Sequence, residues 1–191
     1  AEGQVPTEVM ERITAQPWYF SVTGRLDKDS RGLLIMTQDG VLAKQITNGH
    51  RFTKHYEVQL SEAVKSTQIE QLRAIRHLDD KVLKPMTVTR MGDKALRFQL
   101  IEGRKHQIRR SCQQVGLHVT DLLRTQIGPV KIGKLTTGHW RLASDAEISE
   151  LKNPQKQGKA SRPQSSRGNN SDRGNNGGKG HANGKGSRRR R

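Results

Sequence analysis

Residues 152–191 contain almost nothing that could form a hydrophobic core. They include no Val, Ile, Leu, Met or aromatic residue, and Gly, Ser, Asn, Lys and Arg dominate them. Such a segment cannot bury enough apolar surface to offset the entropy that it would lose on ordering. We therefore expect 152–191 to be disordered and the fold to be confined to residues 1–151, which suffice for one domain with its own core.

Both parts of the chain are basic. The segment 152–191 has five Lys and seven Arg against Asp172 alone, a formal charge of +11, which leaves +6 of the total of +17 on residues 1–151. Arg and Gly interspersed with Ser and Asn suit sequence-independent contacts with phosphates. We therefore expect the chain to bind a nucleic acid. The alternative is that 152–191 serves only as a solubilising extension.

The cysteine content and the hydropathy pattern indicate the compartment. Cys112 is the only cysteine, which excludes an intramolecular disulfide and a cysteine-rich zinc site and favours a reducing compartment. The longest wholly apolar run, 33–36, is far too short to cross a bilayer, and the first residues lack the features of a signal peptide. We expect a cytoplasmic protein that does not contact a membrane.

Sequence patterns predict a strand-rich α+β domain, with a mainly antiparallel mixed sheet and short helices. Strands are predicted at 32–37, 54–60, 81–90, 95–101, 119–127 and 130–132. A first helix is predicted after a cap at Thr37 or Asp39, with Val41, Leu42 and Ile46 facing the core. A second begins at Ser66, with Ile69, Leu72 and Ile75 facing the core. Two more are predicted near 105–115 and, after a capping box at Ser144, through residue 151.

Residues 24–32 (Gly-Arg-Leu-Asp-Lys-Asp-Ser-Arg-Gly) put two carboxylates and three cations on one short predicted loop. Asp27 and Asp29 match two ligand positions of a calcium-binding EF-hand loop, but Arg31 and Gln38 stand where further oxygen ligands are needed. A calcium site is therefore not expected. An exposed turn with solvated charges is the alternative to a catalytic loop.

Two further segments carry candidate functional side chains. Residues 54–58 (Lys-His-Tyr-Glu-Val) place Tyr56 on the inner face of a predicted strand. Residues 102–110 (Glu-Gly-Arg-Lys-His-Gln-Ile-Arg-Arg) place five basic or imidazole side chains around the start of a predicted helix. Taken singly, Tyr56 fits a core tyrosine, and 102–110 fits a solvated or phosphate-binding helix face.

Taken in order, these segments resemble the RsuA/RluF-like family of bacterial ribosomal RNA pseudouridine synthases. The resemblance runs from about residue 22 to residue 151, is closer to the large-subunit RluF branch, and rests on the motifs at 24–27, 54–58, 103–110, 123–128 and 138–142. It implies the pseudouridine synthase catalytic fold. It also implies an isomerase that breaks the N-glycosidic bond of a uridine in folded 23S ribosomal RNA and rejoins the base through C5, with no metal and no organic cofactor.

The resemblance also assigns catalytic roles to single residues. Asp27 matches the essential aspartate of the family, which acts either as a nucleophile or as a base on the ribose. Arg109 matches the salt-bridge partner of that aspartate, which would favour the ionised carboxylate. Tyr56 matches the tyrosine that stacks on the flipped base.

Other positions are assigned to binding the RNA or to holding the loop. Arg25 matches the residue that fills the gap left by the extruded nucleotide, and Ile108 matches an apolar residue that lines the base pocket. Asp29 is assigned to hydrogen bonds within the loop, with Ser30 and Arg31. Further RNA contacts are expected from Lys54, Arg104, His106, Gln107 and Arg110.

Family members carry a small S4-type RNA-binding domain and a first strand with a Lys-Pro element ahead of the aspartate. Only 26 residues precede Asp27, so we expect both to be absent from this chain. The expected partner is a structured stem-loop of ribosomal RNA, free or in ribosome assembly intermediates, bound by a monomer. The alternatives are a non-catalytic RNA-binding or ribosome-assembly protein on the same fold, and a metal-dependent nuclease, for which no clear set of carboxylates accompanies Asp27 and Asp29.

Overall fold

The computed structural model describes residues 19–48 and 51–153, together with Glu11 and Ala15. From residue 19 onward, the described residues form short helices packed against a mixed sheet. No helix among the described residues is long and apolar enough to cross a membrane. The elements are β1 (Ser21–Thr23), β2 (Arg31–Gly32), β3 (Ile35–Thr37), α1 (Gly40–Asn48), β4 (Lys54–Leu60), α2 (Ser66–Ala74), β5 (His77–Leu78), β6 (Lys81–Val82), β7 (Thr87–Gly92), β8 (Ala95–Leu100), α3 (Gln107–Gln114), β9 (Val119–Ile127), β10 (Val130–Lys131) and α4 (Asp145–Lys152).

The main sheet has the strand order β10-β9-β4-β8-β7, and all of these neighbours are antiparallel. β4 lies in the centre because its alternating sequence gives it one apolar face, and Val58 pairs with Leu96 of β8 and with Leu122 of β9. β2 adds to β9 in parallel, which makes the sheet mixed. Two small antiparallel pairs, β1-β3 and β5-β6, lie outside this sheet.

Two apolar clusters form the core. The larger one packs Ile69 and Leu72 of α2 and Ile108 and Cys112 of α3 against the buried residues of β4, β7, β8 and β9. The smaller one joins α1 and α4 to the far end of β9, and its members are Leu33, Leu42, Ile46, Phe52, Ile127, Val130 and Leu151. Burial of these side chains stabilises the fold by about 25 cal/mol per Å² of apolar surface removed from water.

The α+β class with a mainly antiparallel mixed sheet is confirmed. β4 and β9 have the predicted bounds. In β4 the predicted alternation is present, since Val58 and Leu60 are buried and Gln59 between them is exposed. The capping box at Ser144 and Glu147 is also confirmed, and α4 extends to Lys152. The segment 152–191 was predicted to be disordered, and its residues 154–191 lie outside the described residues. The division into domains stays a prediction.

Two predicted strands are wrong in extent. The strand predicted at 32–37 is divided into β2 and β3, because Gly32 has a φ of 126° and the two halves pair with different strands. The strand predicted at 81–90 is divided into β6 and β7. The backbone N–H of Leu83 donates to Arg76 and that of Lys84 to Glu102, so these peptides are bonded away from the sheet.

Helix boundaries are set by local hydrogen bonds. Asp39, rather than Thr37, caps α1, because its Oδ1 accepts from the backbone N–H groups of Val41 and Leu42. Val41 is 67% exposed and does not face the core as predicted. Gly116 follows α3 and ends it, with a φ of 72° and a Schellman pattern of hydrogen bonds.

Candidate active site

The loop between β1 and β2, residues 24–30, presents the carboxylate of Asp27. A turn closes within the loop, since the N–H of Ser30 donates to the carbonyl of Asp27 over 2.9 Å. Leu26 beside it is buried and Arg25 is exposed. The Asp27 side chain is 35% exposed, so an anchored loop offers its carboxylate to solvent.

The far end of this loop is attached to β9. Arg31 donates two hydrogen bonds to the carboxylate of Asp121, at 2.9 and 2.7 Å. These bonds lower the pKa of Asp121 below its usual value. One residue further, the backbone of Gly32 approaches that of Arg124 so closely that an added Cβ would lie 2.5 Å from the backbone nitrogen of Arg124.

A buried arginine links the two ends of the loop. The guanidinium of Arg124 is 3% exposed, and its Nε donates to the carbonyl of Leu33 over 2.8 Å. Its Nη1 donates to the carbonyl of Arg25 over 3.1 Å. The same side chain therefore holds the chain before and after Asp27 and fixes where the carboxylate lies.

The side chain that faces Asp27 is His106. Its Nε2 lies 3.4 Å from Asp27 Oδ1. His106 precedes α3 in the left-handed backbone region, with a φ of 51°, which is uncommon for a residue other than glycine. This conformation also explains why α3 begins at Gln107 and not at 105 as predicted.

The turn ahead of α3 is built around the buried carboxylate of Glu102. Gln107 Nε2 donates to Glu102 over 3.3 Å, and Arg104 Nε lies 3.6 Å from the same carboxylate. Gln107 Oε1 in turn accepts from the backbone N–H of Arg104 over 3.0 Å. Arg104 and Gln107, predicted to contact RNA, thus hold the turn that orients His106.

The predicted ion pair between Arg109 and Asp27 is not formed in this structure, since no nitrogen of Arg109 lies within 4 Å of that carboxylate. Arg109 Nη2 instead donates to the backbone carbonyl of Asp29, and its Nη1 donates to the carbonyl of Val119 over 2.9 Å. Nη1 and Nη2 are both bonded to carbonyls, which keeps the guanidinium beside the loop, while Nε is buried without a partner among the described residues. Arg109 therefore joins the Asp27 loop to the start of β9.

Asp29 was predicted to bond Ser30 and Arg31, and this is wrong. Its carbonyl accepts from Arg109, while Ser30 bonds to Asp27 and Arg31 bonds to Asp121. The physical reason is that Arg31 lies in β2 beside β9, where Asp121 offers a bidentate partner.

The remaining candidates lie on β4 and α3. Tyr56 is half-buried at the margin of the larger core cluster, and Ile108 is 4% exposed within it. Lys54 is buried, and burial followed by the charge of Arg124 lowers its pKa. Arg110 pairs with Asp79 of the turn between β5 and β6.

Sequence reasoning missed Arg124 and Asp121 as parts of the site. The available signal was the pattern of β9, in which Leu122 and Arg124 alternate on the buried face. An arginine at an inward strand position must have buried acceptors, and in this fold those acceptors are the carbonyls at the two ends of the loop.

Comparisons with known proteins show the family to which the chain is similar. The family model described as RNA pseudouridylate synthase matches residues 12–114. An RNA pseudouridine synthase of Aquifex aeolicus is 35% identical over 148 residues, which are 75% of this chain and 59% of the relative. The dual-specificity RNA pseudouridine synthase RluF of Salmonella typhi is 34% identical over 67% of this chain and 45% of its own length.

Ribosomal small subunit pseudouridine synthase A of Escherichia coli (strain K12) is 33% identical over 70% of this chain and 60% of its own length. A crystal structure of a pseudouridylate synthase superposes with a TM-score of 0.63 at 28% identity, covering 69% of this chain and 59% of that one. The chain thus spans three-fifths or less of the length of each of these proteins.

Proposed function

This chain belongs to the RNA pseudouridylate synthase family, and from that membership we propose that it isomerises a uridine of ribosomal RNA to pseudouridine, with Asp27 as the essential group. The observation that carries the proposal is the placement of Asp27. Its carboxylate lies on a loop that is fixed at both ends, is 35% exposed, and faces the imidazole of His106 at 3.4 Å. Anchored loops with exposed charged groups are typical of catalytic sites.

The reaction exchanges one bond for another. The bond between N1 of uracil and C1′ of the ribose breaks, the base turns, and a bond between C5 and C1′ forms. The proton that leaves C5 is balanced by a proton gained at N1, so the reaction needs no redox partner and no energy donor. Asp27 acts either as the nucleophile at the ribose or as a base on the ribose, and both roles use the ionised carboxylate.

Access to the ribose requires the nucleotide to leave its stack. Enzymes that act on bases in folded nucleic acids extrude the target nucleotide and stack its base on an aromatic side chain. We assign that stacking to Tyr56, whose half-buried ring borders the core. We assign filling of the resulting gap to Arg25, whose side chain is exposed while its carbonyl is fixed by Arg124.

Arg109 acts in this proposal as a residue that positions the loop, through Asp29, and Ile108 supports the base pocket from the core. We propose ribosomal RNA as the substrate because one relative is named as a ribosomal small subunit enzyme. The motifs favour the large-subunit RNA as the target, and small-subunit RNA is the alternative. The reaction is assigned to a monomer in the bacterial cytoplasm, where ribosomal RNA is made.

The test uses the chemistry at C5. The full chain is incubated with ribosomal RNA that carries tritium at C5 of its uridines, and tritium release into water is measured. We expect release by the unaltered chain and none by the Asp27→Asn variant, which keeps the size of the side chain and removes its charge. Mapping pseudouridines in both ribosomal RNAs from cells with and without the gene then identifies the uridine.

The non-catalytic alternative makes a different prediction. A protein that only binds RNA would bind with the same affinity in both forms and would release no tritium in either. Release that persists in Asp27→Asn would contradict the assigned role of Asp27. Equal RNA affinity of the two forms is expected in either case, because Asp27 is one charge on a strongly basic chain.

A further inference from the structure

Two buried cations near the Asp27 loop have no counter-ion. Lys54 is 9% exposed, and no acceptor among the described residues binds its ammonium, which keeps contact with solvent. Arg124 is 3% exposed, and its Nη2 is buried without a hydrogen-bond partner. No carboxylate of the described residues lies within 4 Å of either cation, since the five arginine–carboxylate pairs and the His106–Asp27 contact in this part of the chain all join other residues.

Strand pairing puts the two cations on one face of the sheet. Arg124 of β9 is opposite Tyr56 of β4, and Lys54 is two residues before Tyr56. Directly opposed residues share a face, as do residues at a spacing of two. The three residues therefore lie on one face of the sheet.

The carboxylate on the same strand cannot neutralise this group. Glu57 projects from the other face of β4, where it pairs with Arg97 over 3.0 Å. His55 is on that other face too, and burial, Arg97 and Lys131 lower its pKa. The face with Lys54 and Arg124 is thus left with two positive charges and no negative one from β4.

Placing two cations close together in the protein interior without an anion costs free energy. Burial disfavours the charged form of an amine, and a second cation nearby disfavours it further. Both effects are present, because burial and then the charge of Arg124 lower the pKa of Lys54. Buried polar groups in native proteins are nearly always bonded, so the free Nη2 of Arg124 also calls for an acceptor.

We propose that Lys54 and Arg124 together bind one phosphate group of the RNA backbone, beside the nucleotide that stacks on Tyr56. This inference rests on the proposed function for the identity of the RNA. A phosphate supplies the missing negative charge and several acceptor oxygens, and the ammonium and guanidinium are the groups that bind it best. Since Arg124 also holds the carbonyls of Arg25 and Leu33, a phosphate bound there contacts the same side chain that fixes the Asp27 loop.

The experiment measures RNA affinity as a function of salt. Polyuridylate is the probe, so the result does not depend on the target uridine. Log affinity against log salt is compared for the unaltered chain, Lys54→Met and the control Lys44→Met, which removes an exposed lysine from α1. Loss of one phosphate contact reduces the slope by about 0.7 for a single strand. We expect that reduction in Lys54→Met, recovery in Lys54→Arg, and no change in Lys44→Met.

A second measurement separates RNA phosphate from free phosphate. The melting temperature is followed as inorganic phosphate replaces chloride at constant ionic strength. We expect a saturable rise in the unaltered chain and in Lys44→Met that is lost in Lys54→Met, and we expect polyuridylate to compete with it. A rise that polyuridylate does not reduce would overturn the assignment to RNA, and no rise in any form would overturn the site.

Asp27 is the alternative counter-ion, and a double-mutant cycle tests it. Unfolding free energies are compared for Lys54→Met, Asp27→Asn and the double variant. We expect additive effects, and coupling between the two changes would show that Asp27 occupies the site and would contradict the proposal. Tritium release by the unaltered chain is measured in the same preparation. Its absence would contradict the proposed function, while the salt slope decides the phosphate site independently.

Discussion

His106 Nε2 lies 3.4 Å from Asp27 Oδ1, although the two residues are 79 positions apart in the sequence. The contact depends on two backbone devices. The left-handed φ of 51° at His106 turns its side chain out of the start of α3, and the carbonyl contacts of Arg124 fix the loop that carries Asp27. The imidazole of His106, and not the predicted guanidinium of Arg109, therefore contacts Asp27.

We expect His106→Asn to lower kcat/KM by less than about fivefold. The pair is partly exposed, with 45% of the His106 side chain and 35% of the Asp27 side chain open to solvent, and such pairs contribute about 0.2–1 kcal/mol. Asn is chosen because it tolerates the left-handed backbone. His118→Asn, at an exposed histidine, is the control and should leave the rate unchanged. A loss as large as that of Asp27→Asn would show that His106 transfers a proton and does more than contact Asp27.

Arg109→Lys should slow the reaction more than it weakens RNA binding. The planar guanidinium of Arg109 reaches two carbonyls at once, those of Asp29 and Val119, and an ammonium cannot reproduce that geometry. The loop then loses one anchor and Asp27 its position, so kcat should fall by about tenfold or more. Arg110→Lys is the matched control, because the adjacent arginine pairs with Asp79 instead. Equal effects of the two variants on kcat would contradict a positioning role for Arg109.

Gly32→Ala should destabilise the fold by about 3 kcal/mol. Gly32 combines a φ of 126° with a backbone approach to Arg124 that leaves no space for a Cβ. Gly24→Ala is the matched control at the other end of the loop, where φ is 80° but nothing lies within 4 Å of an added Cβ. It should cost about 1 kcal/mol. Urea unfolding measures both, and equal losses would show that β2 separates from β9 without penalty.

The sequence predicted the elements whose pattern is local. β4 follows from alternation alone, because Val58 and Leu60 face the core on either side of the exposed Gln59. The bounds of β9 were also predicted, although its buried residues do not alternate strictly. The breaks within 32–37 and 81–90 were not predicted, since they depend on bonds to distant groups such as the contact of Gly32 with Arg124 and of Lys84 with Glu102. Patterns within a short window contain no information on such partners.

The candidate site shows the same division. The motifs identified Asp27, Tyr56 and the segment at 102–110 as candidates. They did not predict which of these side chains contact one another. The contact of Arg124 with Arg25 spans 99 positions of sequence, and the replacement of the predicted Arg109–Asp27 pair by His106–Asp27 depends on the φ of one residue. The roles of the site residues in catalysis stay predictions, which the variants above test.

The Arg141–Glu147 pair should make the stability of α4 dependent on pH. Hydrogen bonds from Arg141, and then the cap at Ser144, lower the pKa of Glu147 to about 2 from 4.5. A lowered carboxyl pKa stabilises the fold fully above about pH 4.5, and this contribution is lost as the pH falls toward 2. Arg141→Met should therefore lower the free energy of unfolding by about 1 kcal/mol at pH 7, because the exposed bidentate pair is screened by solvent. The difference from the unaltered chain should shrink in urea titrations between pH 4.5 and about 2.

Arg51→Met is the control, since Arg51 bonds the neutral amide of Gln45 and its effect should not depend on pH. A constant difference for Arg141→Met across this range would mean that the side chain stabilises α4 by packing and not by its charge.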